Sequence, residues 1–170
     1  MAHLHGFPPI ENPNASILIL GSMPGKPSLR AVEYYAHPRN AFWKIMGELA
    51  GASPELPYDA RIQLLKASNI ALWDVLASCS RSSSLDADIV ADSITANDFA
   101  TFFASHPHIT HVFFNGAMAE KSFQKYVLPN LGEMPLNYQR LPSTSPAHAG
   151  MRFEQKMEAW KVIQNNLHPA

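Results

Sequence analysis

Four short polar segments carry most of the residues whose types and spacing could do chemistry, and three of them directly follow a candidate strand. The first is Gly21-Ser22-Met23-Pro24-Gly25-Lys26-Pro27-Ser28. A glycine-rich turn of this kind presents backbone N–H groups to an anion or to the polar edge of a base. It is not a phosphate-binding P-loop, which needs four residues between its glycines and a hydroxyl residue after its lysine. Here three residues separate Gly21 from Gly25, and Pro27 follows Lys26. Nor is it a nucleophile elbow, because Ser22 directly follows Gly21. The second segment, Tyr34-Tyr35-Ala36-His37-Pro38-Arg39-Asn40-Ala41-Phe42-Trp43, sets aromatic rings beside Arg39 and Lys44. That pairing can stack a base and hold phosphates; equally, Phe42 and Trp43 suit a core, and Asn40 stands where a helix takes its cap. The third, Asn115-Gly116, ends an apolar run with an amide that needs hydrogen-bond partners from backbone or ligand, although Asn-Gly is also ordinary turn chemistry. The fourth, 141–150, holds Ser143, Thr144, Ser145 and His148 between prolines. It reads both as a stiff loop of donors and as a helix start, with Ser145 as cap and Pro146 in the first turn.

Other titratable residues form weaker patterns. Of the eight histidines, His3 and His5 lie in an N-terminal arm, and His106, His108 and His111 straddle a loop and a strand start without the paired spacing of a helical zinc site. No metal site is expected. Asp74, and the pair Asp86 and Asp88, have the chemistry for acid–base work, but solvated or capping roles are the ordinary expectation. The single cysteine, Cys79, excludes an internal disulfide and any cysteine-rich zinc or iron–sulfur site.

The elements that position these segments are legible from apolar patterning. Runs at 16–20, 70–73 and 111–114 are short and continuous, as in parallel strands covered on both faces, and 138–141 is a weaker fourth strand. Between them, helical patterns cover 42–49 (capped by Asn40 and stopped by Gly51), 98–105 and 117–128, and an amphipathic helix spans 153–167. Alternating strands and helices predict an α/β fold, a three-layer α/β/α sandwich around a mostly parallel four-stranded sheet. In such sheets sites lie at the carboxyl ends of the strands, where three of the four polar segments fall. The 170 residues suit one domain with residues 1–14 as an arm. A 46% hydrophobic share excludes wholesale disorder, and a formal net charge of −1 leaves any nucleic-acid contact to a local patch and to helix N-termini. The chain lacks a hydrophobic signal core and any apolar run long enough to span a bilayer, so a soluble cytoplasmic monomer is expected.

The order of the segments is more specific than any one of them. GSMPG, YYAHPRNAFW, WDVL, FFNG and LPSTSPAH, in that succession, resemble the motifs of the uracil-DNA glycosylase superfamily, and among its branches are most similar to the hypoxanthine-DNA glycosylases. The resemblance implies a monofunctional enzyme that flips a deaminated base out of DNA and hydrolyses its glycosidic bond without a cofactor. Alternatives within its scope are a uracil glycosylase for G·U mismatches and a damaged-base binding module without turnover. It implies base contacts from Gly21, Ser22, Met23 and Pro24, an aromatic stacked on the base at Tyr35, and a base-edge reader at Asn115. It further implies DNA contacts from Arg39, Lys44, Ser143, Thr144, Ser145 and His148. Two positions depart from the usual pattern: Met23 stands where relatives carry a water-activating Asp or Asn, and Leu141 where efficient uracil enzymes carry His. In the hypoxanthine branch the catalytic role falls to the position of Asn40.

Overall fold

A computed structural model describes residues 3–167. In chain order the strands are β1 (His3–His5), β2 (Ile17–Gly21), β3 (Ile70–Asp74), β4 (Leu76–Ser80), β5 (Thr95–Ala96), β6 (His111–Asn115) and β7 (Asn137–Leu141). The helices are α1 (Lys26–Ala31), α2 (Phe42–Ala50), α3 (Tyr58–Ala67), α4 (Phe99–Ser105), α5 (Ala117–Tyr126), α6 (Leu128–Leu131), α7 (Phe153–Trp160) and α8 (Val162–Asn165). Four strands form a parallel sheet in the order β3-β2-β6-β7, the α/β architecture expected from the four runs.

Strand β2 shows why those runs are continuous. Side chains alternate across a strand, so Ile17 and Ile19 enter one core, and Leu18 and Leu20 the other; all four are fully buried. The first core is closed by Phe42, Ile45 and Met46 of α2, Leu65 of α3, Trp160 of α7 and Ile163 of α8. The second is closed by Phe99, Phe102 and Phe103 of α4 and by Ala119 and Phe123 of α5. A strand covered on both faces has no side that tolerates polar residues.

A second, antiparallel sheet, β1-β4-β5, was not expected from the sequence. Leu76-Ala77-Ser78-Cys79-Ser80 mixes small and polar residues and offers no apolar run. The arm contributes to it: His3 pairs with Ser80 and His5 with Ser78, while Ile10 bridges to Leu72. The small sheet launches the segment 81–90, whose loop reaches the site below.

Three helix ends differ from expectation. Ala41, rather than Asn40, occupies the cap position of α2; Asn40 sits one residue earlier and accepts the Phe42 N–H on Oδ1 at 2.9 Å. Ser145 does not start the last helix, because its Oγ closes a local turn by accepting from Ala147 N at 3.2 Å. That helix begins only at Phe153, where Gln155 Oε1 reaches back to accept the Arg152 N–H at 2.9 Å. It breaks at Lys161 and ends at Asn165, short of Leu167. Among the described residues, no helix is long and apolar enough to cross a membrane.

Candidate active site

The carboxyl ends of β2, β3 and β6 open into a cleft of about 630 Å³. Its floor is built from the residues that close those strands: Gly21, Asp74 and Asn115. Gly21 and Asp74 are register partners in neighbouring strands, which sets them side by side.

The turn after β2 is held by its carbonyls. Gly21 O accepts from Val75 N at 2.8 Å, Ser22 O from Leu76 N at 3.1 Å, and Pro24 O from the Arg81 guanidinium at 2.5 Å. With most of the turn's carbonyls committed and the Ser22 hydroxyl donating to Asp86, its N–H groups suit an anion or a carbonyl-bearing base. Met23 is buried and joins the core. Gly21 is required where it stands: a Cβ there would lie 2.5 Å from Asp74 Oδ1 and 2.7 Å from the Tyr35 hydroxyl.

Tyr35 adopts a left-handed backbone conformation, φ 55°, costly for an aromatic residue and tolerated where surrounding structure imposes it. One face of its ring lies on Phe42, with centroids 4.2 Å apart. Its hydroxyl is buried and has no partner among the described residues. Burial, then the nearby Asp74 carboxyl, push this phenol far above its ordinary range.

Asn115 is pinned to the last loop. Its Oδ1 accepts from Thr144 N at 2.9 Å and its Nδ2 donates to Thr144 Oγ1 at 2.9 Å. Thr144 is buried, and its own carbonyl accepts from Ala41 N at 3.0 Å, tying the loop to the start of α2 and hence to Asn40. Gly116, at φ 95°, lets Ser143 approach within 3.1 Å of where its Cβ would be. Behind the loop, Trp160 Nε1 donates to Pro142 O and Lys156 Nζ to Ser145 O.

All the base- and DNA-contact residues that the resemblance implies, and Asn40, line this cleft except Lys44. Gly21, Ser22, Met23, Pro24, Tyr35, Arg39, Asn40, Asn115, Ser143, Thr144, Ser145 and His148 converge from four separate parts of the chain. Lys44 is exposed on α2, with Nζ 5.1 Å above the Phe153 ring.

Three further residues were undervalued or missed. Asp74 is not solvated: it is 4% exposed, and its Oδ2 is buried without a partner. Burial, with Asp86 adding to it and Arg81 opposing, pushes its pKa up to about 7. Asp86 also reaches the cleft, accepting from Ser22 Oγ at 2.6 Å; burial raises its carboxyl and that bond partly offsets the rise. Arg81 is buried, with Nε and Nη1 unpartnered among the described residues. The signal for Asp74 was its place directly after a buried strand, the place Gly21 and Asn115 hold on theirs. No sequence pattern announced Arg81, because an antiparallel pairing delivers it. Among the described residues, no three His, Cys, Asp or Glu side chains are grouped to hold a metal ion.

Comparison with known proteins accords with this geometry. Residues 8–166 match the Uracil DNA glycosylase superfamily. A hypoxanthine DNA glycosylase of Methanosarcina acetivorans is 34% identical over 160 residues, covering 93% of this chain and 96% of that protein. A hypoxanthine DNA glycosylase of Methanosarcina barkeri is 39% identical over 112 residues, covering 65% and 70% respectively. The solution NMR structure of a candidate uracil DNA glycosylase from M. acetivorans superposes with a TM-score of 0.80 at 32% identity, covering 98% of this chain and 100% of that one. With the match spanning nearly the whole sheet-and-cleft unit, the chain belongs to the uracil DNA glycosylase superfamily.

Proposed function

We propose that this protein is a monofunctional DNA glycosylase that excises deaminated bases, hypoxanthine foremost, in base excision repair. The observation that carries the reading is convergence. The 21–25 turn, Tyr35, Asn40, Asn115 and the hydroxyl loop surround one cleft, with room for a flipped nucleotide, in a chain whose relatives bear the name hypoxanthine DNA glycosylase.

A base within a duplex is out of reach, so the nucleotide is flipped into the cleft at a cost of a few kcal/mol, least for a mispaired base. The C1′–N bond then breaks, its electron pair passing to the base and leaving an oxocarbenium-like sugar. Amides of the 21–25 turn stabilise the charge on the departing base. A water positioned by Asn40 adds to C1′, and its proton passes to the departed base anion, leaving an abasic site and the neutral free base. The Asn40 Oδ1 bond to Phe42 N fixes that side chain for the task and uses one of the oxygen's two lone pairs. Arg39, Ser143, Ser145 and His148 grip phosphates from the cleft rim, and Lys44 meets the backbone farther along its flank. Thr144 shapes the loop from beneath.

Among the described residues, no lysine lines the cleft; Lys156 lies behind the loop, bonded to Ser145 O. Attack by an amine on the sugar is therefore not part of the reaction. A single cysteine cannot hold an iron–sulfur cluster, and the chemistry above needs no cofactor. The protein works as a monomer, and its free thiol, Cys79, suits a reducing cytoplasm.

The test is a panel of oligonucleotides carrying hypoxanthine, uracil, xanthine or mismatched thymine, scored for alkali-labile sites. Hypoxanthine is expected to be excised fastest. Faster release of uracil from G·U pairs would move the protein to the mismatch-specific branch, and binding without release would make it a damaged-base binding module.

A further inference from the structure

Hypoxanthine and uracil share a lactam edge: a ring carbonyl that accepts beside a ring N–H that donates. A reader of that edge needs one fixed donor and one fixed acceptor. Asn115 alone cannot read that edge while it holds Thr144, because Thr144 takes the one side of the amide on which an Oδ1 lone pair and an Nδ2 proton point the same way. What those bonds fix is the direction of the amide. The Thr144 backbone N–H can only donate, so Oδ1 must face it; the second proton on Nδ2 lies toward the Tyr35 hydroxyl, which has no partner within hydrogen-bond geometry among the described residues, and remains as a donor.

The missing acceptor stands on the same floor. Asp74 closes the neighbouring strand end, lines the cleft, and touches the space that Gly21 leaves bare, where a Cβ would come within 2.5 Å of its Oδ1. It is 4% exposed, and its Oδ2 has no partner among the described residues. Buried polar atoms are nearly always paired. An unpaired carboxyl at the bottom of a cleft with room for a flipped nucleotide is explained if the ligand supplies the partner. The mechanism above leaves this carboxyl unused.

The geometry points to a divided reader: Asn115 donates its free amide proton to the ring carbonyl, and the Asp74 carboxylate accepts the adjacent ring N–H. This assignment rests on the glycosylase reading and names the specificity device of that cleft. Adenine and cytosine present the inverse edge, so their amino group would face the Asn115 donor and their bare ring nitrogen the carboxylate. Both contacts repel.

The device depends on Asp74 being ionised, since the acid form accepts much more weakly through its carbonyl oxygen alone and, with its hydroxyl turned inward, sets a proton against the ring N–H. The groups around it define the balance. Asp86 faces it with like charge; the Arg81 guanidinium favours the anion, although among the described residues it makes no ion pair with either carboxyl. The Tyr34 and Tyr35 phenols stay neutral, raised by burial. His37, Arg39 and His148 also line the cleft. The resulting pKa of about 7 makes hypoxanthine recognition pH-dependent across neutrality.

The test is kcat/KM for hypoxanthine excision from pH 5.5 to 8, a quantity that reports ionisations of the free enzyme. Wild type is expected to gain about tenfold per pH unit below neutrality and to level off above it. Asp74→Asn is expected to be flat over this range and roughly 10- to 100-fold slower than wild type at pH 8. Its affinity for an uncleavable abasic-site analogue should match wild type, which separates base reading from folding and DNA grip. A slope that survives in Asp74→Asn belongs to His37 or His148 and overturns the assignment, as does wild-type speed in Asp74→Asn at pH 8. Either result leaves the glycosylase reading standing; failure of wild type to release any deaminated base would remove both.

Discussion

Asn115 and Thr144, 29 positions apart, hold one another by both atoms of a single amide edge, with Oδ1 accepting from Thr144 N and Nδ2 donating to Thr144 Oγ1, each at 2.9 Å. The pair joins the end of a core strand to the loop at the far side of the cleft. Asn115→Ala would leave the buried Thr144 N–H unpaired, at a cost of about 1–3 kcal/mol. Melting temperature should fall by roughly 2–4 °C per kcal/mol in a domain of this size, together with excision. Thermal melts and single-turnover rates on one preparation check this; loss of excision with an unchanged melting point would mean that Asn115 serves the base and not the loop.

Gly21→Ala should be more harmful than a surface glycine change. The new methyl would lie 2.5 Å from Asp74 Oδ1 and 2.7 Å from the Tyr35 hydroxyl, both held in buried surroundings. Overpacking of this kind costs about 1–3 kcal/mol. Because the displaced groups form the cleft floor, hypoxanthine excision should fall by more than the stability loss alone explains. Normal excision would show that the floor is not where the base rests.

Asp74 also makes a stability prediction. Its folded pKa is about 7 against an ordinary value of 3.8, so between those values the unfolded chain releases the proton and the folded chain retains it. Stability from this group is complete below the unfolded pKa and is lost as pH rises through the folded one. Asp74→Asn cannot ionise. Its melting temperature should therefore rise relative to wild type as pH increases from about 4 to 7, and the gap should then hold steady. A constant difference across that range would mean that Asp74 is not buried as a carboxyl.

The sequence was most informative where one physical requirement dominated. Ile17 to Leu20 had to be apolar at every position because both faces are covered, and that run announced a central strand. The polar segments at strand ends were visible for the converse reason, and all but Lys44 reached the cleft. Long-range pairing was not visible. Leu76–Ser80 becomes a strand because it pairs with His3–His5 and Thr95–Ala96, and only that pairing brings Arg81 and Asp86 to the site. Asp74 followed a buried strand in plain view, but solvation is the usual fate of an aspartate, and burial is a property of the folded surroundings. Local turn chemistry misled at Ser145, where a cap-and-proline pattern closes a loop turn instead of starting a helix.

Asn40 allows structure and catalysis to be separated. Its Oδ1 bond to Phe42 N is one that aspartate can also make, so Asn40→Asp should fold normally. Asn40→Ala should lose about 1 kcal/mol of stability. If Asn40 positions the attacking water, single-turnover excision by Asn40→Ala should fall about 100-fold or more, with affinity for abasic-analogue DNA retained. Near-normal excision would confine Asn40 to the helix terminus.

The most direct measurement of the central claim follows both products of one reaction. A duplex with a single deoxyinosine is incubated with the protein, the released base is identified by mass, and the strand is sized before and after alkali, with borohydride added to a parallel sample. The account predicts free hypoxanthine, a strand that stays intact until alkali is added, and no protein–DNA adduct. A duplex that keeps its hypoxanthine would contradict the assigned activity, and a strand cut without alkali or a trapped adduct would contradict hydrolysis by water.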